Sequence, residues 1–394
     1  MKIASTLLDD RRAVAHLLDL LAVEGLSGAE RVVSARVREK LLAAGCKPAW
    51  IRSDRAHERI GRDFEVGNLI VRIPGTRRGP RLLFASHLDT VPLCRGAAPV
   101  RRGNRIVARG KTALGADNRT AVACLVSVIE TLLARRARRH PLTFLFTVGE
   151  EVGLLGARHV SVADVGRPVM GFNIDSGDPA KIVRGCCGAE RWEASITGRA
   201  AHAGVHPEDG VSALLIATRA IAEVDGRGCF GLVREGRRQG TTNVGVIETG
   251  KTTNTVSGHA LVRGECRSHD PEFLMRLTTL YREAFERAAA SVRNVDGKCG
   301  RVRFTADRSY DPYRLAKDAA PVRRALEAAR ALGMRPRTVV ADGGLDAAWL
   351  TAKGIPSVTL GAGQHNAHTL AEYADVREYL DGCRLAVTLA TRDA

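Results

Sequence analysis

The chain has 394 residues, enough for two domains, because single cores rarely grow past about 250–300 residues. Apolar residues make up 45% and charged residues 26%, which excludes a disordered or fibrous chain, and no uncharged apolar run approaches the roughly 20 residues of a membrane span. The net charge of +17 admits an acidic or nucleic-acid partner, yet the densest basic run, residues 134–140, has no interleaved aromatic residues for base stacking. Nucleic acid is therefore not the expected partner. Asp9, Asp10, Arg11 and Arg12 break the apolar run near the start, so no export signal is expected there. Nine scattered cysteines without a C-x-x-C pair read as reduced thiols of a cytoplasmic protein.

Residues 27–45 begin with Ser27 and carry Glu30 three positions later, a capping-box start to a helix that closes at Gly45. Residues 81–86 form a short apolar run of strand length, and 118–136 a long helix apolar nearly all round, which implies burial. Strands follow at 142–148 and 169–174. From about 188 to 300 the texture changes to alternating polar and apolar residues, as in strands with one wet face, separated by helices at 207–224 and 271–290. After 310 the alternation resumes with a helix at 318–332, a strand at 337–341, a helix at 344–353, a strand at 356–361 and a last helix at 372–392. The pattern predicts an α/β protein: a mostly parallel sheet with helices on both faces from residues 1–187 and 304–394, and a smaller inserted α+β domain at 188–303.

In open α/β sheets, ligands bind beyond the carboxyl ends of the strands. His87 and Asp89 follow the first strand, Glu150 and Glu151 the second, Asp175 the third, and His365 and His368 the last, while Asp117 precedes the long helix. Each has a plainer explanation when taken singly. Asp117 suits a helix cap, Glu150 and Glu151 suit the start of a helix through its dipole, and Asp175 suits a turn. Their joint gathering at one sheet edge points instead to a metal site.

The strings "SHLDTVP", "GADN", "GEEVGLLGA", "NIDSGDP", "AAHAG" and "HNAHT" occur in the order and spacing of the M20 family of dinuclear zinc peptidases, and the chain most resembles its peptidase T-like branch. The resemblance implies that His87 and Asp175 bind one zinc, Glu151 and His368 the other, and that Asp117 bridges them, with Co²⁺ or Mn²⁺ as substitutes. It further implies Glu150 as general base, Asp89 as the carboxylate orienting His87, and His202 as the stabiliser of the oxyanion. Arg267 and Asn254 would hold the substrate's carboxylate and carbonyl, and the inserted domain would serve as lid and as a homodimer contact. His206 and His259 are expected to be structural. Asn118 stands where the family usually has a second acid, "VPLC" replaces a more glycine-rich stretch, and His365 is the rival of His368 as ligand. The expected activity is that of an aminopeptidase on short peptides, the alternative a deacylase or carboxypeptidase on N-acyl amino acids.

Overall fold

Strands Leu142–Thr147, Leu82–His87, Met170–Ile174 and Ser357–Leu360 lie side by side in that order and all parallel in the computed structural model, which describes residues 7–61 and 63–392. Every residue of Leu82–His87 and Leu142–Thr147 is buried, as strands covered on both faces require. Alternate residues serve opposite layers. Phe84, Phe144 and Phe172 pack with Leu17, Val126 and Leu385 from three helices on one face, and the Phe84 ring lies 5.5 Å from Phe144 and 5.4 Å from Phe172. Leu83, Ala85 and Leu145 pack with Val160, Val165 and Leu350 on the other. Each buried phenylalanine contributes roughly 1.5–3 kcal/mol from removal of apolar surface. Antiparallel strands flank the parallel centre, Leu69–Ile73 against Leu142–Thr147 and Lys181–Cys186 against Ser357–Leu360.

These strands belong to a compact unit formed by Met1–Cys186 and Arg314–Ala394. The helix Ala116–Ala134 is buried from Asn118 to Ile129 without interruption, as its all-round apolar sequence demands. A second, four-stranded sheet runs in the order Gln364–His365, Tyr373–Asp375, Arg105–Arg109, Ala98–Arg102. Sequence patterning did not reveal it, because two of its strands are only two and three residues long and the other two are arginine-rich.

The other unit is Cys187–Tyr313, ten residues longer at its end than the expected 188–303. Arg301–Tyr310 pairs along Gly188–Thr197, which binds residues 304–310 to this unit. Its five-stranded sheet, antiparallel at each junction, carries the helices Ala213–Gly226 and Pro271–Ser291. Trp192, Tyr281 and Phe285 share its core, with the Trp192 and Tyr281 rings 4.6 Å apart.

Three local expectations need correction. The capping box at Ser27 and Glu30 is not formed: the helix is Arg31–Ala43, and no side chain caps it. Both side chains have tertiary partners instead, Ser27 Oγ on Asp89 and Glu30 Oε1 on the Gly149 N–H. The helix expected from 207 begins at Ala213 with Ser212 as its cap, after a short turn at Pro207–Asp209. The last helix is Val376–Thr391, capped by Asp375, so residues 372–375 lie outside it.

Candidate metal centre

Strand ends set the site. His87 closes Leu82–His87, Glu150 and Glu151 follow Leu142–Thr147 by three and four residues, and Asp175 directly follows Met170–Ile174. His87 Nε2 lies 3.2 Å from Asp117 Oδ1 and 3.7 Å from Asp175 Oδ1. His368 Nε2 lies 2.9 Å from Glu151 Oε1 and 3.6 Å from Asp117 Oδ2. The two oxygens of Asp117 thus face different histidines. Ligand atoms of His87, Asp117 and Glu151 all come within 4.8 Å of one another. Around tetrahedral zinc, with bonds of about 2.0–2.1 Å, neighbouring ligand atoms sit roughly 3.3–3.4 Å apart. The spacings among His87, Asp117 and Glu151 are of the size that a shared metal cation requires.

Charge tells the same story. Against its burial, which favours the neutral ring, Asp117, Asp175 and Asp89 raise His87 well above the ordinary range. The hydrogen bond to Glu151 lifts His368 to about 9. Burial raises Glu150 strongly, with Asp175, Asp346 and Glu151 adding to it against the pull of His87. Crowded carboxylates in a low-dielectric pocket demand positive charge.

Glu150 and Glu151 sit not in an extended segment but in the turn after Leu142–Thr147, where the Glu150 carbonyl accepts the Gly153 and Leu154 N–H groups, and their side chains have different partners. Glu151 pairs with His368, whereas Glu150 makes no ion pair with either histidine among the described residues. Asp89 explains how both are held. Fully buried, it lies 3.4 Å from His87 Nδ1 and accepts the Glu150 N–H at 3.0 Å, the Glu151 N–H at 3.2 Å and the Ser27 hydroxyl at 2.6 Å. The hydrogen-bond partner of His87 Nδ1 is the Asp89 backbone carbonyl at 3.1 Å, so one residue orients the histidine through its main chain and the backbone of both glutamates through its carboxylate.

Sequence reading missed several residues that build this site. Glu372, 3% exposed, accepts the N–H groups of Gly115 at 2.7 Å and Asp117 at 2.9 Å, joining the segment after His368 to Asp117. Gln364 donates to Asp175 Oδ1 at 3.2 Å and accepts from Thr120 at 3.3 Å. The guanidinium of Arg119, fully buried, donates to the carbonyls of Leu88, Val23 and Gly25. Asp346 is buried and bonded to Thr147, and burial pushes it up to about 7. Only the capping-box pair Ser27 and Glu30 left a local signal, and it read as something else. Asn118 Nδ2 donates to the Ile174 carbonyl at 2.8 Å, which an ionised acid at that position cannot do.

His365 bonds Glu378 and stacks 4.8 Å from Tyr373, while its rival His368 faces Glu151 and Asp117. The His368 backbone is left-handed, φ +64°, an uncommon conformation for a residue other than glycine that concentrates at functional sites. The remaining candidates belong to the second unit. His202 is exposed on a two-residue strand paired with Thr255–Val256, and the Asn254 carbonyl accepts the Ala203 N–H at 2.9 Å, so these two lie close together. Arg267 makes a two-pronged pair with Glu265 at 2.8 and 3.1 Å, so its guanidinium already has a carboxylate partner. His206 lies 3.4 Å from Glu208, and His259 heads the strand His259–Ser268.

A family model described as peptidase family M20/M25/M40 matches residues 83–392, and the chain belongs to that family of peptidases and is a peptide-bond hydrolase. A tripeptidase from Staphylococcus aureus is 28% identical, covering 98% of each chain with a TM-score of 0.85. The aminopeptidase PepT of Bacillus cereus is 30% identical, covering 98% of this chain and 99% of its own, with a TM-score of 0.80. An uncharacterised protein of Bacillus subtilis, YqjE, is 28% identical over 384 residues, 97% of this chain and 98% of its own. No helix among the described residues is long and apolar enough to cross a membrane.

Proposed function

We propose that this M20 peptidase is a metal-dependent cytoplasmic aminopeptidase that removes the N-terminal residue of short peptides. The observation that carries the reading is Asp117, whose two oxygens address His87 on one side and His368 on the other. Likeness over nearly the whole chain to a tripeptidase and to aminopeptidase PepT supports the substrate class.

His87 and Asp175 would hold one divalent cation, Glu151 and His368 a second, with Asp117 shared, and zinc suits this nitrogen and oxygen donor set. Such a pair supplies a water of lowered pKa and polarises the scissile carbonyl. Glu150, the glutamate without a histidine partner, takes the proton as water attacks and passes it to the leaving amine as the C–N bond breaks. Asp89 keeps His87 in the tautomer that presents Nε2 to the pocket. His202 donates to the developing oxyanion, Asn254 holds a substrate carbonyl, and Arg267 the substrate carboxylate, which requires it to exchange Glu265 for substrate. The second unit acts as a lid and as the contact of a homodimer.

The deciding experiment compares Ala-Ala-Ala with its N-acetylated form. Faster hydrolysis of the free-amine peptide is expected; preference for the acetylated one would assign the enzyme to the deacylases and carboxypeptidases.

A further inference from the structure

Three carboxyl groups from distant segments close around the end of the strand that leads to Glu150 and Glu151. Glu30 accepts the Gly149 N–H, and Asp89 accepts those of Glu150 and Glu151. These two therefore have main-chain donors. Asp346 has none. It is 1% exposed, and among the described residues the only partner of its side chain is the Thr147 hydroxyl. Asp346 stands at the start of the helix Ala347–Ala352, yet its side chain bonds none of that helix's N–H groups, so it does not do the ordinary work of an aspartate at such a place.

Thr147 shows what the carboxyl does instead. Its Oγ1 lies 3.2 Å from the Ser86 carbonyl oxygen and within bonding reach of Asp346 Oδ2. A hydroxyl has one proton and cannot donate to both. With Asp346 ionised, either the carbonyl or the carboxylate goes without a donor. Its other oxygen, Oδ1, is buried and has no donor in any case, and an unpaired anionic oxygen in such a place is costly. A proton on Asp346 removes the conflict. The carboxyl then donates to Thr147 Oγ1, and the Thr147 hydroxyl donates to Ser86. Burial favours the same neutral form, with Asp175 and Asp89 adding to it against Thr147 and His87.

This chain of three groups lies beside the metal centre. Ser86 directly precedes His87, Thr147 stands three residues before Glu150, and the two strands run in register with His87 opposite Thr147. One carboxyl, 199 residues from Thr147 in sequence, thus ties the strand end that presents a candidate ligand to the one that leads to the general base. Neutrality suits the place, because a further ionised carboxylate near Asp89 and Asp175 would add like-charge repulsion.

We propose that Asp346 is a positioning residue that works as a neutral acid, donating to Thr147 and so fixing the glutamate turn against the His87 strand. The proposal rests on the peptidase reading above and adds a residue that supports the site without touching a candidate ligand. Its test uses the metal-loaded enzyme. D346N still offers a donor to Thr147 and should keep kcat and KM near those of wild type, whereas D346A should lower kcat about 10–100-fold with KM little changed. T147V should show a similar loss. The T147V/D346A double variant should be no worse than the poorer single one, because both act through one set of bonds. D346N as damaging as D346A would show that charge and not the donor is needed, and additive losses would show two independent roles; either overturns the proposal. So does a lower melting temperature in D346A with kcat intact, which would leave only packing. The infrared difference spectrum between wild type and D346N, at the pH of the assay, should contain the carbonyl band of one protonated carboxyl. A carboxylate band in its place ends the proposal even if D346A fails to fold. If wild type hydrolyses no peptide, the peptidase reading fails, and the infrared band alone decides the state of Asp346.

Discussion

At the candidate metal centre four of the five candidate ligands are held by a further residue, whereas His202 and Asn254 of the second unit are exposed and its Arg267 is half-buried on an interior strand. Asp89 orients His87 and pins the Glu151 backbone, Gln364 holds Asp175, and Glu372 holds the Asp117 backbone. His202 and Asn254 are exposed, and Arg267 is tied to Glu265. The contrast separates two tasks. Cations need donors fixed to fractions of an ångström, which buried hydrogen bonds supply. Groups that meet a substrate have to stay accessible until it arrives.

The sharpest way to break the comparison is at the paired glutamates. E150Q should cost roughly 10²–10⁴-fold in kcat if Glu150 is the general base, with metal content unchanged by elemental analysis, whereas E151Q should lose one cation. Equal metal loss in both would show that the roles are misassigned. H202A should lower kcat by on the order of 10²–10³-fold, the usual cost of an oxyanion donor, without altering metal content; a fall in bound metal would move His202 into the metal site. E372Q keeps the volume and replaces one acceptor oxygen by a donor facing the Gly115 and Asp117 N–H groups. Metal affinity should fall about 10–100-fold in chelator competition, and E372D should recover part of it. A drop in melting temperature with unchanged affinity would reduce Glu372 to a structural tie.

The smallest effect lies outside both regions. Asp19, bonded by Arg36 and Lys40, is held at about 2, below the ordinary 3.8. A depressed carboxyl stabilises the fold above its unfolded pKa, and that contribution disappears as pH falls through the window between about 4 and 2. Because the pair is well hydrated, D19N should cost only about 1 kcal/mol or less at pH 7 by denaturant unfolding, and the difference from wild type should vanish near pH 2. A difference that persists at low pH would show that Asp19 acts through packing.

Much of this was legible in the chain itself. Buried strands such as Leu82–His87 and the helix Ala116–Ala134 announce themselves because burial on all sides leaves an unbroken apolar run. His87, Asp117, Glu150, Glu151, Asp175 and His368 could be named because strand ends and recurrent strings mark them. The order of elements and the candidate donors follow from patterns that extend over a few residues, where backbone geometry alone relates neighbours. Tertiary structure decided the rest. Ser27 and Glu30 read locally as a capping box, yet they serve Asp89 and Gly149, 62 and 119 residues away. Glu372 lay inside an expected helix and instead holds the N–H of Asp117, 255 residues distant. Asn118, which looked like a departure, donates to a carbonyl that an ionised acid would repel. A buried carboxylate takes whatever donors the fold brings within hydrogen-bond reach, and no local periodicity records which those are.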